Sequence, residues 1–143
     1  MAESDATSLE KVDIFSGFSK RALQRLRKHG KEVEHHPGHE VSIEGGYPYA
    51  FHLILAGTAS VTVRGQSRPE LGPGDYFGEI SLIDGKPRSA TVKAGKDGMR
   101  AFALSTFEFN ALLDAHPEVA RALLLNLCAR IRSIEADATG TRR

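Results

Sequence analysis

The sequence predicts a mainly β domain with flanking helices: an antiparallel β-roll of the jelly-roll, double-stranded β-helix-like type, with an N-terminal helix and two C-terminal helices. Two observations lead to this fold class. Apolar residues at helical spacing lie near the two ends of the chain, whereas residues 32 to about 104 form short β-prone runs divided by Gly and Pro. Many short strands with frequent turns are typical of antiparallel sandwiches and rolls.

The N-terminal helix is predicted to begin after Ser19 and to end at His29. Ser19 is a suitable N-cap residue, and Gly30 is well placed to end the helix. Between them lies an apolar stripe at helical spacing, formed by Ala22, Leu23 and Leu26. The small and polar residues 1–10 favour a flexible tail, so the domain is expected to span residues 11–137.

The middle of the chain contains five runs that favour strands. They are residues 41–43, 51–55, 59–63, 89–92 and 100–104. Because Gly and Pro interrupt the sequence between them, each run is interpreted as a separate short strand.

Two helices are predicted after the strands. Ser105 and Glu108 match a capping box at the start of the first helix. The second helix is expected to begin at Pro117, since proline is tolerated in the first helical turn, and to run to about Ala136. Residues 138–143 are expected to form a flexible tail.

Composition and charge indicate one globular domain. The chain has 143 residues, 41% of them hydrophobic and 26% charged, and its formal net charge of +1 gives no electrostatic reason to expect nucleic acid or an anionic membrane as a partner. Cys128 is the single cysteine, so no intrachain disulfide can form. The sequence has no run of about 18 apolar residues and no signal-like start. We therefore expect a cytoplasmic protein.

The stretch from residue 77 to residue 92 carries the clearest functional signal. Gly78 opens a predicted helical turn whose first backbone N–H groups lack partners within the turn and favour an anion. Arg88 supplies a planar, charged fork suited to phosphate oxygens. Glu79 would repel a phosphate, so it must face another part of the same ligand, and a sugar hydroxyl is the simplest donor. The pattern predicts a cradle for a phosphate and a ribose.

This stretch resembles the phosphate-binding cassette of the cyclic nucleotide-binding domain, the module shared by catabolite activator proteins, cyclic-nucleotide-dependent kinases and cyclic-nucleotide-gated channels. Residues 104–105 and the long apolar helix resemble the end of that domain. Four upstream segments also resemble the family's strands and turns in order and spacing, namely residues 37–41, 45–46, 51–57 and 71–77. The likeness covers residues 12–136 and implies reversible binding of a cyclic nucleoside monophosphate in the β-roll.

The resemblance also implies the ligand contacts. Arg88 and the backbone amides of residues 78–81 would hold the cyclic phosphate, and Glu79 would accept a hydrogen bond from the ribose 2′-hydroxyl. Ser89 favours cAMP as the ligand, because alanine or serine at this position is seen in family members that favour cAMP, whereas some members with threonine there favour cGMP. Serine does not exclude cGMP. The expected ligand-binding residues are Phe77, Gly78, Glu79, Ile80, Ser81, Arg88, Ser89 and Ala90.

The last helix is expected to cover the base and to transmit the binding event through the C-terminal helices. The residues that the resemblance places over the base are Arg130, Ile131, Ile134 and Glu135. The apolar stripe of this helix has two interpretations, because it can cover the roll or pair with the same helix in a second chain to form a homodimer. The family permits dimers and monomers alike, so both interpretations stay open.

Direct nucleic-acid binding is not expected of this chain. In regulators similar to the catabolite activator proteins, a helix-turn-helix follows the final helix, whereas this sequence stops at Arg143. The chain is interpreted either as a stand-alone sensor or as a fragment of a larger regulator.

Two other functions compete with nucleotide sensing. A metal-dependent, cupin-like enzyme would use the neighbouring histidines, but adjacent residues of an extended strand point to opposite faces and no zinc motif is completed. These are His35, His36, His39 and His52. Without a nucleophile and base or paired carboxylates, no catalytic residue, metal or cofactor is expected. The other alternative is a domain that keeps the fold, has lost the nucleotide and serves protein interaction.

The sequence departs from the family pattern at Gly46, where an acidic residue is common in the family. We expect this difference to affect a turn.

Overall fold

The β-rich middle of the chain folds into one antiparallel sheet with helices on either side of it in sequence. The computed structural model describes residues 7–47 and 49–139. In these ranges the strands are β1 (Lys31–His35), β2 (Glu40–Ser42), β3 (Ala50–Val63), β4 (Gln66–Leu71), β5 (Tyr76–Phe77) and β6 (Thr91–Ser105). The α-helices are α1 (Lys20–His29), α2 (Glu79–Asp84), α3 (Thr106–Ala115) and α4 (Pro117–Thr139). The predicted fold class is confirmed.

The two long strands β3 and β6 form the centre of the sheet. The strand order is β1-β6-β3-β4, while β2 also pairs with β6 and β5 pairs with β3. The pairing of β3 with β6 shifts register on both sides of Gly57, whose φ is +81°. A Cβ atom at this position would lie 2.3 Å from the carbonyl oxygen of Gly98, so only glycine fits. The strand therefore bends at Gly57 without ending.

This bend corrects the predicted division into five short strands. Residues 51–55 and 59–63 belong to one strand, β3, because Gly57 is a bend and not a turn. The run 100–104 lies in β6, and residues 89 and 90 precede that strand. The predicted runs do not include β1, β4 and β5. Most residues of β1 and β4 are exposed, so pairing with a neighbour, and not an apolar pattern, defines these edge strands.

Serine side chains start two of the helices where the sequence predicts them. Ser19 Oγ accepts a hydrogen bond of 3.1 Å from the backbone N–H of Ala22 at the start of α1. Ser105 Oγ accepts one of 3.2 Å from the N–H of Glu108 at the start of α3. Each bond satisfies a donor that has no partner within its helix.

The packed part of the chain begins earlier than the predicted tail of residues 1–10 implies. Leu9 lies in a short 3₁₀ helix and is only 4% exposed. The backbone N–H of Thr7 donates to the carbonyl oxygen of Leu55 at 2.7 Å. Burial of Leu9 against the helices and β3 explains the difference. Residues 1–6 of this tail lie outside the described residues.

At the other end, α4 continues to Thr139, past the predicted end at Ala136. The first two residues of the predicted tail, residues 138–143, are therefore helical, and residues 140–143 lie outside the described ranges. No helix among the described residues is long and apolar enough to span a membrane.

The sheet separates two apolar cores, and this separation places the cassette. Successive residues of β3 alternate between the cores: Phe51, Leu53 and Leu55 pack with the helices, whereas Ile54 faces the inside of the roll. The inside of the roll contains Val41, Ile54, Ala59, Phe77, Val92, Ala94, Met99 and Ala101. Because Phe77 belongs to this inner core, the cassette segment that follows it begins beside the inside of the roll.

Candidate functional site

Gly78 opens the cassette in a conformation that only glycine adopts readily. Its φ is +95°, and α2 begins at the next residue, as predicted. A Cβ atom here would lie 2.6 Å from the carbonyl oxygen of Ala50 and 2.7 Å from Nη1 of Arg88. Gly78 therefore lets the start of α2 approach both the strand and the arginine.

The side chain of Arg88 is buried and held by neutral groups. It is only 5% exposed. Nη1 donates to the carbonyl oxygen of Gly78 at 3.0 Å and to Oγ of Ser81 at 3.1 Å, and Nη2 donates to the carbonyl oxygen of Ala50 at 2.6 Å. These three bonds use three of the five N–H donors of a guanidinium group. Burial lowers the pKa of Arg88, while Tyr49 and Glu79 act in the opposite direction.

Glu79, the first residue of α2, is also buried but pairs with a different arginine. It is 3% exposed, and its Oε2 accepts a hydrogen bond of 3.3 Å from Nη1 of Arg130 on α4. Burial raises the pKa of Glu79, whereas the backbone of Glu79, Arg130 and Arg88 act to lower it. The carboxyl group thus depends on α4 for its hydrogen-bonded ion pair.

A second polar contact joins α4 to the segment in front of the cassette. Nδ2 of Asn126 donates to the hydroxyl oxygen of Tyr76 at 2.8 Å. Asn126 and Arg130 are four residues apart and lie on one face of the helix. The sequence analysis did not identify Tyr76 or Asn126, and the only signal for Asn126 was its spacing from Arg130. Together the two pairs fasten α4 to both sides of Gly78.

The structure brings only some of the predicted site residues together. Phe77, Gly78, Glu79, Ser81 and Arg88 form the compact group described above, with Ile80 partly buried in the same helix. Ser89 is exposed and Ala90 is partly buried at the entrance to β6. Of the residues predicted to cover the base, Arg130 reaches the cassette. The other three are exposed on α4, so their role as a cover stays a prediction; they are Ile131, Ile134 and Glu135.

Gly46 contributes to the cassette, although the sequence suggested that it affects only a turn. The backbone N–H of Arg88 donates to the carbonyl oxygen of Gly46 at 2.9 Å. The carbonyl oxygen of Arg88 accepts from the N–H of Gly45 at 2.8 Å. The turn therefore holds the backbone of Arg88 through its own backbone, and no side chain at residue 46 is required.

The four histidines form a chain of neighbouring rings from the surface into the roll. The ring centroids are 4.9 Å apart for His36 and His39, 5.2 Å for His35 and His39, and 6.2 Å for His35 and His52. His52 stacks on Phe77 at 4.8 Å. Within residues 7–47 and 49–139, no group of three or more His, Cys, Asp or Glu side chains is arranged to hold a metal ion. Burial, followed by Arg88 and His35, lowers the pKa of His52 to about 3.

The fold and this site define a class of protein: a β-roll domain in which a buried arginine and a buried glutamate lie at the start of a short helix that follows a glycine. This pair of side chains suits an anionic ligand that carries hydroxyl groups. Residues 32–116, more than half of the chain, match the family model described as the cyclic nucleotide-binding domain. The chain belongs to the cyclic nucleotide-binding domain family, which confirms the resemblance found in the sequence.

Regulatory proteins are among its relatives. The chain is 28% identical over 129 residues to a CRP-like cAMP-activated global transcriptional regulator of Mycobacterium tuberculosis, covering 87% of this chain and 57% of the regulator. It is 36% identical over 103 residues to a cAMP-dependent protein kinase regulatory subunit of Yarrowia lipolytica, covering 64% of this chain and 28% of the subunit. The structure of the Thermus thermophilus catabolite activator protein is similar, with a TM-score of 0.77, 27% identity, and 88% of this chain and 61% of that chain covered. The chain thus spans 57% of the length of the Mycobacterium regulator and 28% of the length of the Yarrowia subunit.

The buried imidazole of His52 predicts a loss of stability in acid. The folded protein keeps this ring neutral down to a pKa of about 3, whereas the unfolded chain binds a proton near the ordinary value of 6.5. The free energy of unfolding should therefore fall as the pH falls below 6.5, by about 2–4 kcal/mol at pH 4 from this ring alone. Urea titrations of the wild type and His52→Leu at pH 7 and pH 4 measure this contribution.

In these titrations the loss between pH 7 and pH 4 should be smaller for His52→Leu than for the wild type. His36→Leu, which removes an exposed imidazole from the same chain of rings, serves as the matched control. An equal loss for the wild type and His52→Leu would contradict the prediction.

Proposed function

We propose that this domain is a sensor that reversibly binds a cyclic nucleoside monophosphate, with cAMP preferred to cGMP, and performs no chemistry on it. The observation that carries the proposal is Arg88, a buried cation whose hydrogen-bond partners among the described residues are all neutral. Glu79 acts on Arg88 only through its charge and pairs instead with Arg130, and a buried charge that forms no ion pair of its own is unfavourable. An anion that enters the cassette would supply the missing charge and accept the remaining N–H donors.

The other cassette groups suit the remaining parts of such a ligand. The backbone amides at the start of α2 would assist Arg88 in holding the cyclic phosphate. Glu79 lies beside this position, and its carboxylate would accept a hydrogen bond from the ribose 2′-hydroxyl. The apolar inside of the roll, to which Phe77 belongs, would take the less polar part of the nucleotide.

The preference for cAMP rests on Ser89 and on the relatives. The family resemblance associates alanine or serine at this position with cAMP, and Ser89 is exposed next to Arg88 in the sequence. The names of the Mycobacterium and Yarrowia relatives both refer to cAMP. Titration with both cyclic nucleotides tests this preference directly.

Transmission would run through Glu79 to α4. The same carboxylate that would bind the ribose already accepts from Arg130, so a bound ligand and the helix share one group. Ligand binding would strengthen this connection between α2 and α4, and a ligand shifts a conformational equilibrium only through such a difference in contacts. Asn126 and Tyr76 would keep the helix in register during the change.

A homodimer through α4 is the proposed assembly. Leu124 and Ile131 are 62% and 56% exposed, and their spacing of seven residues places them on the same side of the helix. Ile134, three residues after Ile131, is 66% exposed on the same side. A second copy of the same helix would bury these apolar side chains in a twofold interface.

Substitution of Arg88 tests the proposed function. We expect the wild type to bind cAMP in calorimetric titration, and Arg88→Ala to weaken the affinity about tenfold to more than a hundredfold, because a charge-assisted contact to the phosphate is lost. Arg68→Ala, on the exposed side of β4, should bind as the wild type does. Circular dichroism establishes that each variant is folded.

If a folded, nucleotide-free wild-type sample gives neither heat nor thermal stabilisation with cAMP or cGMP, the proposed function is overturned. The domain would then keep the family's fold and serve protein interaction.

Amide hydrogen exchange tests transmission. In the wild type, cAMP should slow exchange in α2 and in the part of α4 around Arg130. In Arg130→Gln the slowing should persist in α2 and be reduced in α4, because the ion pair to Glu79 is missing. Arg132→Gln, an exposed change on the same helix, should behave as the wild type. Equal slowing of α4 exchange in Arg130→Gln and the wild type would refute this route.

Mass measurement in solution tests the dimer. Light scattering after size-exclusion chromatography should give twice the chain mass of 15.5 kDa for the wild type and the chain mass for Ile131→Glu, because a charge enters the apolar interface. Ala129→Glu adds the same charge at an exposed position on another side of α4 and should remain dimeric. A wild-type protein of 15.5 kDa at all concentrations would exclude the assembly.

A further inference from the structure

Four residues before and at the start of β3 hold Arg88 from several directions: Gly45, Gly46, Tyr49 and Ala50. Gly45 and Gly46 exchange backbone hydrogen bonds with Arg88 at 2.8 and 2.9 Å. The carbonyl oxygen of Ala50 accepts from Nη2 of the same arginine at 2.6 Å. Tyr49 lies between these residues in sequence, and its side chain contacts the guanidinium.

The guanidinium of Arg88 lies over the ring of Tyr49. Cζ of Arg88 lies 5.8 Å from the ring centroid, within the range of a cation–π contact. The hydrogen bonds to Ala50, Gly78 and Ser81 hold three N–H donors of the guanidinium, and the ring adds a separate contact with the cation. Tyr49 is 61% exposed and Arg88 is 5% exposed, so an exposed ring covers a buried cation.

A cavity beside the Tyr49 ring determines what would happen to Arg88 if the ring were removed. Tyr49 and Ser81, both in contact with Arg88, line a cavity of about 520 Å³ together with Leu82 and Pro87. A smaller side chain at residue 49 would let water from this cavity reach the guanidinium. Hydration of Arg88 would weaken its attraction to a phosphate, because a charge interacts more weakly in a medium of higher dielectric constant.

We infer that Tyr49 is a positioning residue for ligand binding, which fixes the fork of Arg88 toward the phosphate and keeps water from the guanidinium. This inference rests on the proposed function of the same site. A neutral ring suits this role, since a carboxylate there would neutralise Arg88 and compete with the ligand phosphate for it.

Two substitutions at Tyr49 separate the ring from its hydroxyl group. Tyr49→Phe keeps the aromatic face and should bind cAMP within about twofold of the wild type. Tyr49→Leu removes it and should weaken binding about three- to thirtyfold. The Nε–H proton resonance of Arg88, shifted by the ring current in the wild type and Tyr49→Phe, should move in Tyr49→Leu.

A double-mutant cycle with Arg88→Gln shows whether Tyr49 acts through the arginine. In the Arg88→Gln background, where binding is measured at millimolar cAMP, Tyr49→Leu should change the affinity for cAMP by less than about twofold. An equal loss in both backgrounds would overturn the inference, as would wild-type affinity in Tyr49→Leu. A wild type that binds neither cyclic nucleotide would overturn the proposed function itself, and with it this role for Tyr49.

Discussion

The buried guanidinium of Arg88 is the constraint on which the cassette depends. A charge removed from water is tolerated only when protein groups replace the water, and two segments supply acceptors here: the start of β3 with Ala50, and the beginning of α2 with Gly78 and Ser81. Gly78 must be glycine because any Cβ atom would collide with both the arginine and the strand. The acceptors take three of the five donors of Arg88 and carry no charge, so the remaining donors and the cation favour an anionic ligand.

Glu79 connects this site to the packing of the helices. Burial raises the pKa of its carboxyl group, and Arg130 acts against that change, so the position of α4 influences whether Glu79 is ionised. The bond between Asn126 and Tyr76 keeps the same face of α4 against the segment before Gly78. A ligand that binds Glu79 therefore meets a group whose charge state and orientation already depend on the last helix.

The cassette was predictable from sequence because its chemistry is local: a glycine before a short helix, a carboxylate in its first turn and an arginine soon after. The helix starts at Ser19 and Ser105 were predictable for the same reason. The continuity of β3 was not, since Gly57 has the same appearance in sequence whether it ends a strand or bends one. Nor was the pair of Tyr76 with Asn126, because residues far apart in sequence meet only through the fold.

The turn before β3 shows why one departure from the family pattern leaves the site intact. Gly46 replaces the acidic residue common in the family, which by itself would favour the alternative of a domain that has lost its ligand. Yet Gly45 and Gly46 hold Arg88 through backbone groups, which any residue able to adopt the same turn would supply. The substitution is therefore no argument against nucleotide binding.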